Sequence, residues 1–300
     1  MTNILLTGSA GFLGGYIFRD LSKSAKVITL SRTAADIIAD LSIKIPQLPS
    51  VDLVIHCAGK AHSNPKTAVE IQKFFQVNVD GTKNLLKGLE QSPTLPRYFV
   101  YISSVAVYGL DHGTNIDEKS PLLARDAYGL SKVQAEELII DWCKNSKVIC
   151  TILRLPLLVG NNPPGNLGAM IRAIEKGYYF NIGGGKARKS MVLADDVAAF
   201  ITTVATVGGI FNITDGFHPN FKALSSAIMF KKNRKSPRNL PLFTAKLMGF
   251  AGDLLGHKLP INSSKVQKIT SDLTFDDTKA RELAGWKSNK VINWFKEYNC

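Results

Sequence analysis

Tyr128-Gly-Leu-Ser-Lys132 sets a phenol and an ammonium four residues apart, a spacing that puts both on one face of a helix. A tyrosine with an ordinary pKa of about 10 is a poor acid or base near neutrality. A neighbouring lysine cation favours the phenolate and is expected to lower that value. Tyr128 could then exchange a proton with a substrate hydroxyl or carbonyl while a hydride moves to or from a nicotinamide. The pair alone does not establish this, because Y-x-x-x-K on an exposed helix is common by chance. A second feature supplies context. Thr7-Gly-Ser-Ala-Gly-Phe-Leu-Gly14 lies between a strand-like run and a helical one. In such a loop Gly8 permits the tight turn, Gly11 lets backbone approach a pyrophosphate, and Gly14 lets the helix pack closely. The helix N-terminus then offers N–H groups and partial positive charge to the phosphates.

Two more segments belong to the same chemistry. The second strand ends in Leu30-Ser31-Arg32, with no acid. An acid there would take the ribose 2′-hydroxyl of NAD, whereas an arginine suits the 2′-phosphate of NADP. The reading therefore favours NADP(H) and leaves NAD(H) open. Ser103 and Ser104 close the fourth strand, at the sheet end where open α/β folds bind ligands, and a serine there can hydrogen-bond a reacting oxygen.

These residues need elements to hold them. Apolar runs at Ile4–Thr7, Lys26–Leu30, Val51–Cys57, Arg97–Ser103 and Val148–Leu153 alternate with helical patterns at Phe12–Ser22, Val69–Glu90 and Tyr128–Asn145. Apolar strands joined by helices predict an α/β protein with a Rossmann-type, doubly wound parallel sheet. Residues 31–50 are short for a helical crossover, so that connection is expected to be trimmed. The character changes at Asn161-Asn-Pro-Pro-Gly165. We expect a dinucleotide-binding core over 1–160. A small C-terminal substrate lobe over 161–300 is interleaved with it, and a strand near 209–213 returns to the sheet.

Bulk properties exclude little. The charge of +13 suits nucleic acid, anionic membranes or phosphorylated ligands, and no nucleic-acid recognition motif accompanies it. The run Lys231-Lys-Asn-Arg-Lys235 with Arg238 reads as a solvated face, with anionic lipid or a phosphorylated sugar as the alternative. Cys57, Cys143, Cys150 and Cys300 form no C-x-x-C pair, so no metal site is expected. His56 reads as core, and His62, His112, His218 and His257 have no spaced partners. Without a leader pattern or a run of about 18 apolar residues, the expected location is cytoplasmic. Leu240 to Leu255 reads as an amphipathic helix.

The motifs together resemble the extended short-chain dehydrogenase/reductases, the group of nucleotide-sugar epimerases, dehydratases and reductases. Residues 7–14 match its T-G-x-x-G-x-x-G motif. Val54-Ile-His-Cys-Ala-Gly59 resembles its third-strand motif, and Asn78-Val-Asp-Gly-Thr82 its "N-V-x-G-T" helix. Asp40-Leu41 is similar to its adenine-contacting step, Arg154 to Gly160 to the segment over the nicotinamide, and Phe275 to Trp286 to its closing motif. The resemblance implies catalysis by Ser104, Tyr128 and Lys132. It implies cofactor contacts from Gly8, Ala10, Gly11, Phe12, Leu13, Gly14, Ser31, Arg32, Asp40 and Leu41. Further ones come from Cys57, Ala58, Gly59, Asn78, Ile102 and Leu155, beside Tyr128 and Lys132. It implies substrate contacts from Ser104, Val105, Asn166 and Arg188, and a possible homodimer.

Family members share hydride transfer at a sugar carbon and then diverge. A 4,6-dehydratase carries Asp-Glu directly after the active-site serine or threonine. Val105-Ala106 stand there, which argues against that reaction. Ser31-Arg32 tilts the choice toward NADPH-dependent reduction, and Leu240-Pro-Leu with Lys268 to Phe275 resembles enzymes acting on UDP-linked N-acetylated 6-deoxy-hexosuloses, which implies a UDP-linked 4-keto-6-deoxy-N-acetylhexosamine as substrate. A UDP-sugar 4-epimerase with tightly bound NAD is the alternative. A non-catalytic NADP sensor is the distant one, because such proteins commonly lose the tyrosine or lysine.

Overall fold

The computed structural model describes residues 3–61, 65–232, 237–255 and 262–297. His62, His257, Cys300 and residues 233–236 of the basic run lie outside the described residues. The elements in chain order begin β1 (Asn3–Thr7), α1 (Phe12–Leu21), β2 (Lys26–Ser31), β3 (Ile37–Ile38), β4 (Leu53–His56) and α2 (Ala68–Phe75). Next come α3 (Gly81–Glu90), β5 (Tyr98–Ser104), β6 (Gly113–Ile116), α4 (Ala127–Ser146), β7 (Ile149–Leu155) and β8 (Leu157–Val159). They continue with α5 (Gly165–Glu175), β9 (Phe180–Ile182), β10 (Met191–Leu193), α6 (Ala194–Ala205), β11 (Gly209–Asn212) and α7 (Phe221–Lys231). The last are β12 (Arg238–Leu240), α8 (Leu242–Leu255), α9 (Ser263–Thr270), β13 (Leu273–Phe275), α10 (Thr278–Ala284) and α11 (Val291–Glu297).

Seven strands form one parallel sheet in the order β11-β7-β5-β4-β1-β2-β3. The order reverses at β1 and β4, and the crevice beyond their C-terminal ends is where doubly wound sheets bind ligands. The strands are apolar on both faces because both are covered. On one side Ile4, Leu6, Ile55 and Val100 pack with Ile17 of α1 and Val197 and Ile201 of α6. On the other Leu5, Val54, Phe99 and Ile152 pack with Leu85 of α3 and Ile139 of α4. A third cluster joins α5, α7, β10 and α11.

The expected crossover over 31–50 is indeed trimmed: β3 has two residues, and no helix follows it before β4. The pattern over 69–90 predicted one helix. The structure instead interrupts it with a π-helical turn at Gln76–Asp80, between α2 and α3. Asn78 and Val79 of this turn are buried, as is Thr82 at the start of α3. The strand near 209–213 is β11, and it pairs with β7.

Candidate active site

The glycine loop is shaped by what surrounds it. Gly8 sits at φ +76, and a Cβ there would lie 2.6 Å from the Ala58 nitrogen. A Cβ on Gly14 would lie 2.0 Å from the Gly8 carbonyl oxygen. The loop, α1 and the end of β4 therefore touch through bare backbone. No side chain caps α1 at Gly11. The first-turn amides of Phe12 and Leu13 thus remain available to an external anion. Burial pushes the Cys57 thiol up to about 11, with the Gly14 amide opposing that rise. This cradle fits a dinucleotide pyrophosphate.

At the other end of that crevice the Gly8 amide donates to Leu30 O (3.2 Å), holding the loop against β2. Arg32 is exposed. The nearby acids are engaged: Asp36 accepts from the Thr29 amide and hydroxyl (2.8 and 2.7 Å), and Asp40 from the Ser42 amide and hydroxyl (3.0 and 2.7 Å). The Ser42 hydroxyl, more than the Arg32 charge, holds the Asp40 carboxyl below its ordinary value. Leu41 is buried, with its carbonyl accepting from the Asn84 side-chain amide (2.8 Å).

Ser104 is the last residue of β5, and Tyr128 lies in the first turn of α4. Asp126 caps that helix by accepting from the Tyr128 and Gly129 amides (3.1 and 3.0 Å). The Ser104 hydroxyl accepts from the Ala106 amide (3.2 Å) and lies near enough to the Tyr128 phenol to favour its charged form. One turn on, Lys132 is buried; its Nζ donates to Ile102 O (2.7 Å) and lies 4.5 Å from the centre of the Tyr101 ring. A Cβ on Gly59 would lie 3.5 Å from that Nζ. The catalytic candidates and the β4 end thus converge at the mouth of the crevice.

The expected electrostatics need a correction. Lys132 was expected to lower the Tyr128 pKa. Burial instead raises it, the Ser104 hydroxyl offsets part of the rise, and the Asp126 carboxylate adds to it. Lys132 itself is lowered to about 8 by burial, with the Glu136 charge opposing. Its Nζ donates to the Ile102 carbonyl, so it supplies the phenol with less cationic influence than the spacing suggested.

Asn78, expected among the cofactor contacts, lies between the loop after β4 and α4. Its Oδ1 accepts from the Lys60 amide (2.7 Å), and its Nδ2 donates to Lys60 O (3.1 Å) and the Ser131 hydroxyl (2.8 Å). With both amide hydrogens and the oxygen engaged, it pins the β4 loop to α4. Ser103 and Ser104 also separate: alternation along β5 turns Ser103 to the far side, where it donates to the buried Glu136. Leu155 is buried at the end of β7 and Val105 half-buried after β5. Asn166 and Arg188 are exposed in the later part of the chain. Arg188 is tied by its backbone to Asp272 (2.7 Å) and bridged to Asn220. No hydrogen bond or ion pair among the described residues joins either of them to Tyr128.

Sequence reasoning missed the group behind the site. Glu136 and Arg154 are 1% and 3% exposed and pair at 2.7 Å. Arg154 also donates to the Tyr108 hydroxyl (3.1 Å), which donates to Asn212 (2.8 Å). Glu136 stands four residues after Lys132, so the helical spacing was visible, whereas its partner on β7 was not.

A family model, the NAD dependent epimerase/dehydratase family, matches residues 4–214, and the chain belongs to that family. It is an NAD(P)-dependent enzyme of a group that includes nucleotide-sugar epimerases. It is similar to the N-acetyl-alpha-D-glucosaminyl-diphospho-ditrans,octacis-undecaprenol 4-epimerase of Escherichia coli O157:H7, at 28% identity over 92% of this chain and 88% of that protein. It is also similar to the UDP-glucose 4-epimerase of Vibrio cholerae, at 27% identity over 97% of this chain and 92% of that one. Among solved structures it resembles the UDP-N-acetylglucosamine 4-epimerase from Bacillus cereus (TM-score 0.76, 22% identity, 99% and 98% of the chains). Neighbours of the same fold carry either cofactor. The UDP-glucuronic acid 4-epimerase of Bacillus cereus was solved with NAD (TM-score 0.73, 17% identity, 99% and 97% of the chains). RMD of Pseudomonas aeruginosa was solved with NADPH (TM-score 0.70, 20% identity, 97% and 95% of the chains).

Proposed function

We propose that this chain moves a hydride at C4 of a sugar carried on a nucleoside diphosphate, with Tyr128 as the proton donor and acceptor. The observation that carries the reading is the Tyr128 phenol, held protonated by burial and set beside the Ser104 hydroxyl at the end of β5. A nicotinamide cofactor in the glycine cradle supplies the hydride when bound. A protonated phenol suits the direction in which a ketone is reduced: it gives its proton to the carbonyl oxygen as the carbon gains the hydride. The Ser104 hydroxyl then stabilises the phenolate left behind.

Arg32 at the end of β2, with Asp36 and Asp40 already engaged, favours the 2′-phosphate of NADPH. We therefore read the reaction as NADPH-dependent reduction of a UDP-linked 4-keto-6-deoxy-N-acetylhexosamine. The likeness to 4-epimerases supports a second reading, in which Tyr128 takes the proton of the C4 hydroxyl and gives it back once the keto-sugar has turned its other face, and tightly held NAD would accept and return the hydride. Under both readings Ser104, Tyr128 and Lys132 form the reacting end. Asn166 and Arg188 are proposed for the substrate, and residues 161–300 for the lobe that holds it, interleaved with the core.

The purified protein, mixed with NADPH and the UDP-4-keto sugar, is expected to oxidise one NADPH per sugar reduced. Interconversion of two UDP-sugars without added cofactor, with NAD released on denaturation, would assign the epimerase instead. A protein that binds NADPH and turns over neither substrate would be the sensor.

A further inference from the structure

Helices at the surface of globular proteins turn their large apolar residues inward. Helix α8 does the reverse. Its buried positions are Ala245, Gly249 and Gly252, spaced i, i+4, i+7. They let α8 lie tightly on α9, so tightly that a Cβ on Gly249 would come within 3.1 Å of Ser263 Cα. Phe243, Leu247, Phe250 and Leu254 follow i, i+4, i+7, i+11 on another face, and they are 78%, 59%, 59% and 73% exposed. Leu242, which opens α8, and Phe180, paired with Arg238 across β9 and β12, are exposed as well.

The sequence that carries this stripe is one-sided in charge, although Lys232 pairs with Glu175 (2.6 Å). Between residues 221 and 270 the sequence holds ten lysines and arginines and one acid, Asp253. Lys246 is exposed on α8, and Lys265 and Lys268 are exposed on α9. Lys268 also reaches Asp111 (2.8 Å). A second copy of this chain would set like charges against each other, which is unfavourable. An anionic lipid surface complements both features, since headgroups attract the cations and the acyl boundary takes up the aromatic and leucine side chains. Fourteen residues of helix span about 21 Å, and α8 carries Lys246 and Asp253, so it suits lying in the interface. Among the described residues no helix is long and apolar enough to cross a membrane.

We propose that the α8 face is a docking surface for bilayers rich in anionic phospholipid. Phe243, Leu247, Phe250 and Leu254 enter the headgroup boundary, and the neighbouring lysines meet the lipid phosphates. The proposal is independent of which sugar reaction the enzyme performs.

Flotation of the full chain with vesicles tests it. Binding is expected with vesicles of equal parts phosphatidylcholine and phosphatidylglycerol, and weakly or not at all with phosphatidylcholine alone. Replacing Phe243, Leu247, Phe250 and Leu254 together by serine should weaken the anionic binding roughly tenfold or more and leave the far-UV circular dichroism unchanged. As a check that does not depend on that variant folding, Phe250→Trp should shift its emission to the blue on anionic vesicles and be quenched by brominated acyl chains. Failure to bind anionic vesicles would overturn the proposal. So would binding that the serine variant leaves intact, which would mean charge alone, and so would an oligomer that light scattering shows the serine variant to dissociate.

Discussion

At the scale of single residues, the acid-base group is the first thing to test. Tyr128→Phe removes one oxygen from a half-buried ring that packs 6.2 Å from Phe74, so the fold should be unaffected. Loss of a general acid typically costs about 10²–10⁴ in rate, and kcat should fall by that order while titration shows unchanged cofactor affinity. Lys132 gives a pH signature. Its amine is lowered to about 8 by burial. The cation next to the site is therefore lost as pH rises through about 8, and kcat should decline above that value. Lys132→Arg keeps the charge at all accessible pH, so whatever activity it retains should lack this alkaline limb. An unchanged limb in that variant would place the titration elsewhere. These two residues were legible in the sequence because spacing on one helix suffices to place them. The direction of the Tyr128 shift was not legible, because burial depends on β4, β5 and α2 packing around the ring.

At the scale of elements, the site is a meeting of backbones. The contact between α1 and the glycine loop leaves no room for a methyl group at Gly14, where a Cβ would sit 2.0 Å from a carbonyl oxygen. Gly14→Ala should therefore displace α1 at a cost of about 1–3 kcal/mol, seen as a lower Tm, and weaken cofactor binding as well. Behind α4, the Glu136–Arg154 pair ties the helix bearing Tyr128 and Lys132 to β7. Breaking one partner of a buried pair costs about 3–5 kcal/mol. Glu136→Gln keeps the shape and part of the hydrogen bonding, so its loss of stability in urea should fall in the lower part of that range. The elements themselves were largely readable, since β1, β2, β5 and β7 fall within two residues of the apolar runs that predicted them. The π turn at Gln76–Asp80 was not, because it leaves the apolar spacing of 68–90 close to that of one long helix. The same limit hid Arg154: a strand residue gives no sign that its partner is an acid 18 positions earlier until β7 and α4 are packed together.

At the scale of the whole molecule, one buried histidine joins the centre of the sheet to its covering layer, and it should govern how the fold responds to acid. His56 on β4 is hydrogen-bonded through Nδ1 to Thr7 of β1 (2.8 Å) and through Nε2 to Thr82 of α3 (3.0 Å). The Thr82 hydroxyl donates to Asn78 O (2.7 Å), so it accepts from His56 Nε2–H. Nδ1 must then accept from the Thr7 hydroxyl, whose oxygen accepts from the Ala58 amide (3.1 Å). This chain of donors is complete with a neutral imidazole, and burial, with the Lys132 charge adding to it, lowers the histidine to about 3. Between about pH 3 and 6.5 the unfolded chain binds a proton that the folded one does not. Stability contributed by His56 is thus fully present above pH 6.5 and is lost as pH falls through that window, by up to about 1.4 kcal/mol per pH unit. Asp196 and Asp215, raised chiefly by burial, act with the opposite sign, so the total slope mixes the three. The difference between wild type and His56→Gln isolates the histidine. Glutamine can still donate to Thr82, and leaving Thr7 without its acceptor should cost about 1–3 kcal/mol at pH 7. Chemical denaturation at intervals from pH 4 to 7 should show a flatter dependence in the variant, with the two curves converging toward acid. Parallel curves would mean that His56 is charged in the folded protein, and that the link between β1, β4 and α3 is built on a different set of donors.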